Sequence, residues 1–323
     1  METLEYTAVI RTLGLAGSKY QRLLDSLKHQ DIQPKAIYVY IADGYQIPKE
    51  TIGVEKYVYV NKGMLAQRAL PYDEVETEYI LFLDDDLEFP HDTVGRMYEL
   101  LKENDADIIS PDIFPNADRG VLSEIMMTLS GRMRARRNDP QFGYKVMSSA
   151  GYSYNKNPEK EVYLSQTNAG ACFLCKKSDF LKIRFEDEAW LDNMTYSLGD
   201  DQVMFYKMYC AGLRQLTWYR HNFVHLDAGN SMTPERELKN LYGDVYFKQV
   251  FWHRFLFLPE RSCLKRIWLA LSMSYYMLFT FLVSFCKLRF DVLGRKLSAF
   301  REARAFIRSD EYKSLPVICN KNE

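Results

Sequence analysis

The sequence lacks the features that define several large classes of protein. Lysine and arginine (42) balance aspartate and glutamate (43), so the net charge is −1 and no basic excess favours nucleic acid as a partner. No internal repeat or low-complexity segment is found, which argues against a repeat protein and a disordered chain. The first residues, METLEYTAVIRTLG, include an early acid and no long apolar stretch, so they are not typical of a signal peptide.

Cysteine is scarce and follows no metal-binding pattern. Among six cysteines, Cys172 and Cys175 form one CxxC, but no second cysteine or histidine pair follows at the spacing of a zinc site. On a strand the two side chains would point to opposite faces, so we expect both to be buried as small apolar residues. This usage suits a reducing compartment.

Apolar segments with strand and helix patterns alternate through the first 113 residues. The predicted strands are YTAVIRTL, AIYVYIADGY, EKYVYVN, EYILFLDDD and ADIISPDIF, and the predicted helices are SKYQRLLDSLKHQ, MLAQRAL and HDTVGRMYELLKEN. Such alternation predicts an α/β fold with a mostly parallel sheet and helices on both faces. With 323 residues, the chain is long enough for one large α/β domain and an appendage.

Polar side chains follow three of these predicted strands. Arg11 and Thr12 end the first, Asp43 follows the second, and Asp84 to Asp86 end the fourth. The carboxyl ends of parallel strands meet at one edge of a sheet, which is where ligands bind in such folds. Three adjacent carboxylates beside a core are costly unless water or a cation compensates them.

Two later segments carry further polar groups. Asp200 and Asp201 stand at the start of a predicted helix, where acids also favour the helix dipole. Asn168 and Gly170 precede an apolar strand pattern. The stretch from about Leu122 to Gln166, which precedes Asn168, is basic and irregular in pattern. It is either a solvated loop or a substrate-binding lid.

These segments, in this order, resemble the inverting glycosyltransferases of family 2, which have the GT-A fold. The most specific parts are the aspartates followed by LEFPHDTV and the GDD before QVMFYKMYCAG. The resemblance covers roughly Tyr6 to Ser231 and implies a GT-A domain over residues 1–255. It also implies a nucleotide-diphosphate sugar as donor, expected to be a UDP-sugar, and a hydroxyl of a glycan or lipid-linked glycan as acceptor.

The resemblance assigns roles to matching residues. It implies nucleotide-sugar binding by Arg11, Thr12, Asp43, Arg68, Asp84 and Asp85. It implies a Mn²⁺ or Mg²⁺ ion held by Asp86, Asp84 and His225, since oxygen ligands suit these metals. It makes Asp201 the general base with Asp200 beside it, and places the acceptor near Asn168, Gly170 and Trp190. The sequence departs from the family at Ala42, where an acid is usual.

Three other functions are weighed against this one. A sugar-phosphate nucleotidyltransferase would have a similar fold, but LGLAGSKYQ contains an incomplete glycine pattern for its phosphate loop. An aspartyl phosphatase would use Asp84 as nucleophile, yet Leu87 and Glu88 fit its pattern badly. A non-catalytic scaffold that binds nucleotide sugars would not need Asp201. The released product, whether nucleoside diphosphate, pyrophosphate, phosphate or nothing, separates them.

The last part of the chain, residues 256–323, has a different character. Residues 267–286 carry no charge, basic residues flank them on both sides, and a basic amphipathic helix is predicted after them. We expect this part to contact a membrane, lying in the interface rather than spanning it, on the cytoplasmic face of a bacterial cell membrane. A helical subdomain that packs on the catalytic domain, and a homo-oligomer, are left open.

Overall fold

The computed structural model describes residues 4–113, 120–194, 198–226 and 234–318. The strands are β1 (Tyr6–Thr12), β2 (Ala36–Ala42), β3 (Glu55–Val60), β4 (Tyr79–Asp84), β5 (Leu87–Glu88), β6 (Ile108–Pro111), β7 (Met133–Arg136), β8 (Phe142–Val146), β9 (Tyr152–Asn155), β10 (Val162–Ser165), β11 (Cys172–Lys176), β12 (Gln215–Trp218) and β13 (Val224–His225). The α-helices are α1 (Ser18–Lys28), α2 (Thr93–Glu103), α3 (Val121–Leu129), α4 (Lys177–Lys182), α5 (Asp200–Cys210), α6 (Pro234–Phe251), α7 (Cys263–Cys286), α8 (Phe290–Arg308) and α9 (Asp310–Ser314).

One large sheet organises the molecule. Its strand order is β3-β2-β1-β4-β11-β6-β12-β10-β8-β9-β7, and β13 pairs separately with β5. The pairings among β1, β2, β3 and β4 are parallel, whereas β11 runs antiparallel to both β4 and β6. The predicted α/β class with a mostly parallel sheet is therefore confirmed.

The sheet is covered on both faces, which explains the nearly continuous apolar run in β4. Leu81 and Leu83 pack into a core cluster with residues of α1 and α2, while Ile80 and Phe82 pack into another with residues of α5 and α6. Cys172 packs into the first of these clusters and Cys175 into the second, and both are fully buried, as expected for residues on opposite faces of a strand.

Two local predictions are wrong. The segment MLAQRAL forms turns instead of a helix, because the Asp192 carboxylate accepts hydrogen bonds from the backbone N–H groups of Leu65 (3.0 Å) and Ala66 (2.8 Å). The stretch from Leu122 to Gln166 is not irregular; it contains most of α3 and the strands β7 to β10, which extend the sheet. Both of these local structures depend on contacts with segments that are distant in the chain.

The C-terminal helices pack against the α/β part through a buried ionic cluster. A π-helical turn, Trp252–Phe257, continues α6 and contains Arg254. Arg254 donates two hydrogen bonds to the fully buried Glu188, at 2.7 and 2.8 Å, and Lys207 Nζ lies 2.9 Å from the same carboxylate. The domain division predicted after residue 255 falls within this turn and stays a prediction.

Helix α7 is long and apolar enough to cross a membrane by length and composition. Its inner side buries Met273, Tyr276 and Met277. Its outer side exposes large apolar side chains at helical spacing, namely Leu264, Ile267, Trp268, Leu271, Tyr275, Leu278, Leu282 and Phe285. The helix is thus half packed and half uncovered in the described structure.

Candidate active site

The ends of β1 and β4 bring the first predicted site residues together. The strands are parallel and in register, with Arg11 opposite Asp84. The Arg11 guanidinium donates to both carboxylate oxygens of Asp84, through Nε and, at 3.0 Å, through Nη2. Burial alone would raise the pKa of Asp84, but Arg11 outweighs burial and holds it below its ordinary value. Asp84 is therefore an anion whose charge is already matched by an arginine.

Asp85 faces a different partner at the same edge. Its carboxylate accepts a hydrogen bond from the Thr12 hydroxyl, which in turn accepts one from the Gly14 N–H at 2.8 Å. Burial raises the pKa of Asp85 to about 6, and the neighbouring charges of Asp84 and Asp86 add to this effect against the Thr12 hydrogen bond. Thr12 and Asp85 thus fix the loop that follows β1.

Asp86 and His225 form the pair that best fits a metal ion. Nε2 of His225 lies 3.0 Å from Oδ2 of Asp86, and the short pairing of β13 with β5 holds the histidine there. Among the described residues, no three His, Cys, Asp or Glu side chains are close enough to hold a metal by themselves. Two protein ligands suit a divalent ion whose other ligands are phosphate oxygens and water. Both carboxylate oxygens of Asp84, by contrast, accept hydrogen bonds from Arg11.

A cavity of about 450 Å³ opens at this edge of the sheet. Its walls include Arg11, Thr12, Asp84, Asp85, Asp86 and His225, together with Lys19 and Gln67. The volume lies in the range of ordinary small-molecule sites. Asp43 is exposed at the end of the neighbouring β2 and is not part of the cavity wall.

Arg68 is the buried cation beneath the acids. It is 3% exposed, and its Nη1 donates to Asp200 (3.0 Å) and to Asp201. Its Nη2 donates to the carbonyl oxygen of Gly170 at 3.0 Å and lies 3.7 Å from Asp84. The nucleotide contact predicted for Arg68 stays a prediction, because in this structure the guanidinium faces the protein's own acids.

Asp200 and Asp201 are adjacent but differ in environment. Asp200 is buried, and burial together with the charge of Asp201 raises its pKa to about 6 against the opposing effects of Arg68 and Arg11. The Asp201 side chain is 33% exposed and lines a second cavity of about 440 Å³. Of the two, Asp201 is the acid that a molecule in this second cavity can reach.

Gly170 approaches Asp201 too closely for any side chain. Its N–H donates to Oδ2 of Asp201 at 3.0 Å, and a Cβ at this position would lie 2.0 Å from Oδ1. Asn168, two residues earlier, lines the same cavity, and its Nδ2 is buried without a hydrogen-bond partner among the described residues. Two of the three residues predicted near the acceptor, Asn168 and Gly170, therefore lie beside Asp201, and the acceptor contact itself stays a prediction.

Trp190 lies elsewhere, so the structure does not support its predicted place beside the acceptor. It is 1% exposed, its indole N–H donates to Glu188 at 2.7 Å, and it packs near Phe306 of α8. Sequence reasoning also missed residues that shape the site, including Asp192, Gln67, Asp244 and Lys248. Their contacts join segments far apart in the chain, and no local pattern marks them.

Replacing Arg68 by methionine should lower the free energy of unfolding by about 3–5 kcal/mol, because the change removes the cation nearest to the buried carboxylate of Asp200. Arg22→Met is the matched control, since Arg22 pairs with Glu88 on the surface. Denaturant unfolding of both variants at pH 7 measures the difference. Equal, small losses would show that the buried acids do not depend on Arg68.

The loss of unfolding free energy in Arg68→Met should depend on pH. Because the pKa of Asp200 is raised to about 6 in the folded protein, its protonated form contributes to stability. This contribution is fully present below about pH 4 and is lost as the pH rises through about 6. Removing Arg68 moves this transition to higher pH. The destabilisation should therefore be smaller at pH 5 than at pH 8, and a loss independent of pH would contradict this account.

Comparisons with known proteins give one matching family model and 313 matching chains among solved structures, including the two that follow. The family model described as glycosyl transferase family 2 matches residues 21–163. This range includes Arg68 and the three aspartates at the end of β4. A search of curated protein sequences gives no match.

The first structure is that of GalNAc-T7 with UDP, GalNAc and Mn²⁺, with 12% identity and a TM-score of 0.49 over 85% of this chain. This chain covers 56% of the GalNAc-T7 chain. The second is the mannosyltransferase PcManGT from Pyrobaculum calidifontis in complex with GDP-Man and Mn²⁺, with 12% identity and a TM-score of 0.48. There the match covers 96% of this chain and 77% of the other.

Proposed function

We propose that the protein transfers a sugar, with inversion, from a nucleotide-diphosphate donor to an acceptor hydroxyl, starting from the match of residues 21–163 to the family model described as glycosyl transferase family 2. One observation carries the proposal. The cavity beside Asp84 to Asp86 and the cavity beside Asp201 lie on either side of one cluster of arginines and acids. A donor and an acceptor can therefore approach each other there.

On the donor side, a nucleotide diphosphate occupies the cavity at the ends of β1 and β4. Lys19 and Arg11 line this cavity and supply positive charge, although Arg11 is shared with Asp84. Asp86 and His225 would hold a Mn²⁺ or Mg²⁺ ion, which when bound neutralises the charge that develops on the departing diphosphate. A UDP-sugar is the donor we propose first, in line with the resemblance to family 2.

On the acceptor side, Asp201 takes the proton from the attacking hydroxyl. The Gly170 N–H and Arg68 each bind one of its oxygens, so the carboxylate is held in a fixed orientation. Asn168 orients the acceptor sugar through its amide. Asp200, buried behind Asp201, keeps Arg11 and Arg68 in place and does not reach the acceptor.

A panel of nucleotide sugars tests this function. Purified protein is incubated with each donor and Mn²⁺, and the released product is identified. We expect nucleoside diphosphate from one donor, faster in the presence of a glycan acceptor. Release of pyrophosphate would favour the nucleotidyltransferase alternative, release of phosphate the phosphatase, and binding without any product the scaffold.

We also propose that the protein works at the cytoplasmic face of a bacterial membrane, where it extends a surface glycan. The support is the exposed apolar side of α7, with Arg261 just before the helix, Lys265 and Arg266 in its first turn, and Lys287 and Arg289 after it. Each basic residue near an anionic surface contributes about 1 kcal/mol to binding. Together, these features favour a helix that lies in the interface.

Replacing Leu271 and Leu278 by glutamate should reduce membrane binding, because both side chains are exposed on the outer side of α7. We expect the unchanged chain to float with vesicles that contain anionic lipid, and the double variant to remain mostly in the soluble fraction. Val54→Glu, at an exposed apolar residue far from α7 in the sequence, serves as the control. If all three proteins fractionate alike, α7 does not bind the bilayer.

A further inference from the structure

A group of cationic side chains lies between the Asp201 cavity and the C-terminal helices. Its members are Arg132, just before β7, Lys248 on α6 and Lys296 on α8. Arg132 and Lys248 share one carboxylate, Asp244, whose Oδ1 lies 3.1 Å from Nζ of Lys248 and 3.8 Å from Nε of Arg132. Lys296 donates instead to neutral oxygens, those of the Ser284 hydroxyl (3.0 Å) and the Thr280 carbonyl (3.4 Å).

This cation cluster carries more positive charge than the described residues around it compensate. Lys248 is 4% exposed and Lys296 is 9% exposed, and Lys296 has no carboxylate partner within the described part of the chain. Burial lowers the pKa of Lys248 to about 8, although Asp244 opposes this, and burial lowers the pKa of Lys296 as well. Keeping such ammonium groups buried and charged is costly unless an anion joins them.

The cation cluster lies where two cavities meet. The cavity beside Asp201 and a second one of about 260 Å³ share the walls formed by Met127, Arg132 and Asp244. Beyond the cations, the second cavity is lined by Phe279 and Val283 of α7. A path therefore leads from the catalytic acid, past the positive charges, to apolar side chains.

That path ends at an uncovered apolar surface. Helix α3 exposes Val121, Leu122, Ile125, Met126 and Leu129, and it adjoins the outer side of α7, where the Tyr275 hydroxyl donates to the Leu129 carbonyl oxygen at 2.7 Å. A ligand with a sugar, an anionic group and an apolar chain would match the order of these three environments.

We propose that the cation cluster binds the phosphate or diphosphate of an acceptor that carries an apolar chain. The acceptor sugar then lies beside Asp201, the phosphoryl oxygens accept hydrogen bonds from Lys248, Lys296 and Arg132, and the chain leaves between α3 and α7. The inference rests on the proposed glycosyl transfer and specifies the substrate class of its acceptor.

Binding of farnesyl diphosphate to the full chain tests the site. Calorimetry is done in EDTA, so that no metal at Asp86 attracts the diphosphate, and inorganic diphosphate and farnesol serve as partial ligands. We expect farnesyl diphosphate to bind at least tenfold more tightly than either, because it alone uses both the cations and the apolar path. Equal affinity for farnesol and farnesyl diphosphate would overturn the proposal.

Substitutions at the cations locate the binding. Lys296→Met and Lys248→Met should each weaken farnesyl diphosphate binding by roughly tenfold or more, the effect of one lost hydrogen bond to a charged group. The control Arg295→Met changes the exposed neighbour of Lys296 on α8 and should bind like the unchanged chain. Unaltered affinity in both lysine variants would refute the site.

Binding of UDP with Mn²⁺ separates this inference from the function on which it rests. Both lysine variants should bind UDP like the unchanged chain, which shows that they are folded. If UDP does not bind at all but farnesyl diphosphate binding still depends on Lys296, the anion site stands and the proposed donor fails. If UDP binds and farnesyl diphosphate does not, the donor site stands and the acceptor class is wrong.

Discussion

Replacing Asp201 by asparagine should slow glycosyl transfer by about two to four orders of magnitude, the usual contribution of a general base. Asparagine has nearly the same shape and can still accept a hydrogen bond from Arg68 or Gly170, but it cannot take a proton from the acceptor. The donor cavity is lined by other residues, so the affinity for UDP with Mn²⁺ should change little. Single-turnover transfer and UDP binding measure the two quantities.

Asp200→Asn is the matched control, since it makes the same change one residue earlier. Asp200 is buried and bound to Arg68, so its loss should disturb the arginines without removing the base. We expect a smaller loss of transfer than in Asp201→Asn. A larger loss in Asp200→Asn would mean that the roles of the two acids are exchanged.

The sheet and the edge that holds the candidate site could be predicted because their signals are local. An apolar strand that ends in Asp84, Asp85 and Asp86 shows both its burial and its polar end within one short segment. The start of α5 at Asp200 is similarly visible, because an acid pair precedes a run of apolar residues. Parallel pairing then brings such strand ends to one edge without further information.

What could not be predicted depends on contacts between distant segments. Arg68 follows a helix-like pattern, but it turns into the core because Asp192, more than a hundred residues later, holds its loop. The resemblance to family 2 placed Trp190 near the acceptor, yet Trp190 is 1% exposed and packs near Phe306 of α8. The cation cluster combines residues of α6 and α8 with Arg132, and each of these is an ordinary basic residue in its own segment.

Replacing Asp86 by alanine should reduce transfer by at least about three orders of magnitude. Asp86 and His225 lie 3.0 Å apart in the wall of the donor cavity, where they could share a cation, and a divalent ion there would supply several kcal/mol of charge stabilisation to the leaving diphosphate. Removing the ion with EDTA should slow transfer by the unchanged chain to a similar extent, and added Mn²⁺ should restore the rate. Initial rates of nucleoside diphosphate release measure each case.

Asp85→Asn provides the matched control for this change. Asp85 is the next residue, but its carboxylate binds Thr12 and its pKa is raised to about 6, so it is less suited to hold a cation. We expect Asp85→Asn to keep its response to Mn²⁺ and Asp86→Ala to lose it. Full activity of the unchanged chain in EDTA would exclude the metal role, and the three aspartates would then act only as hydrogen-bond acceptors for the donor and for Arg11.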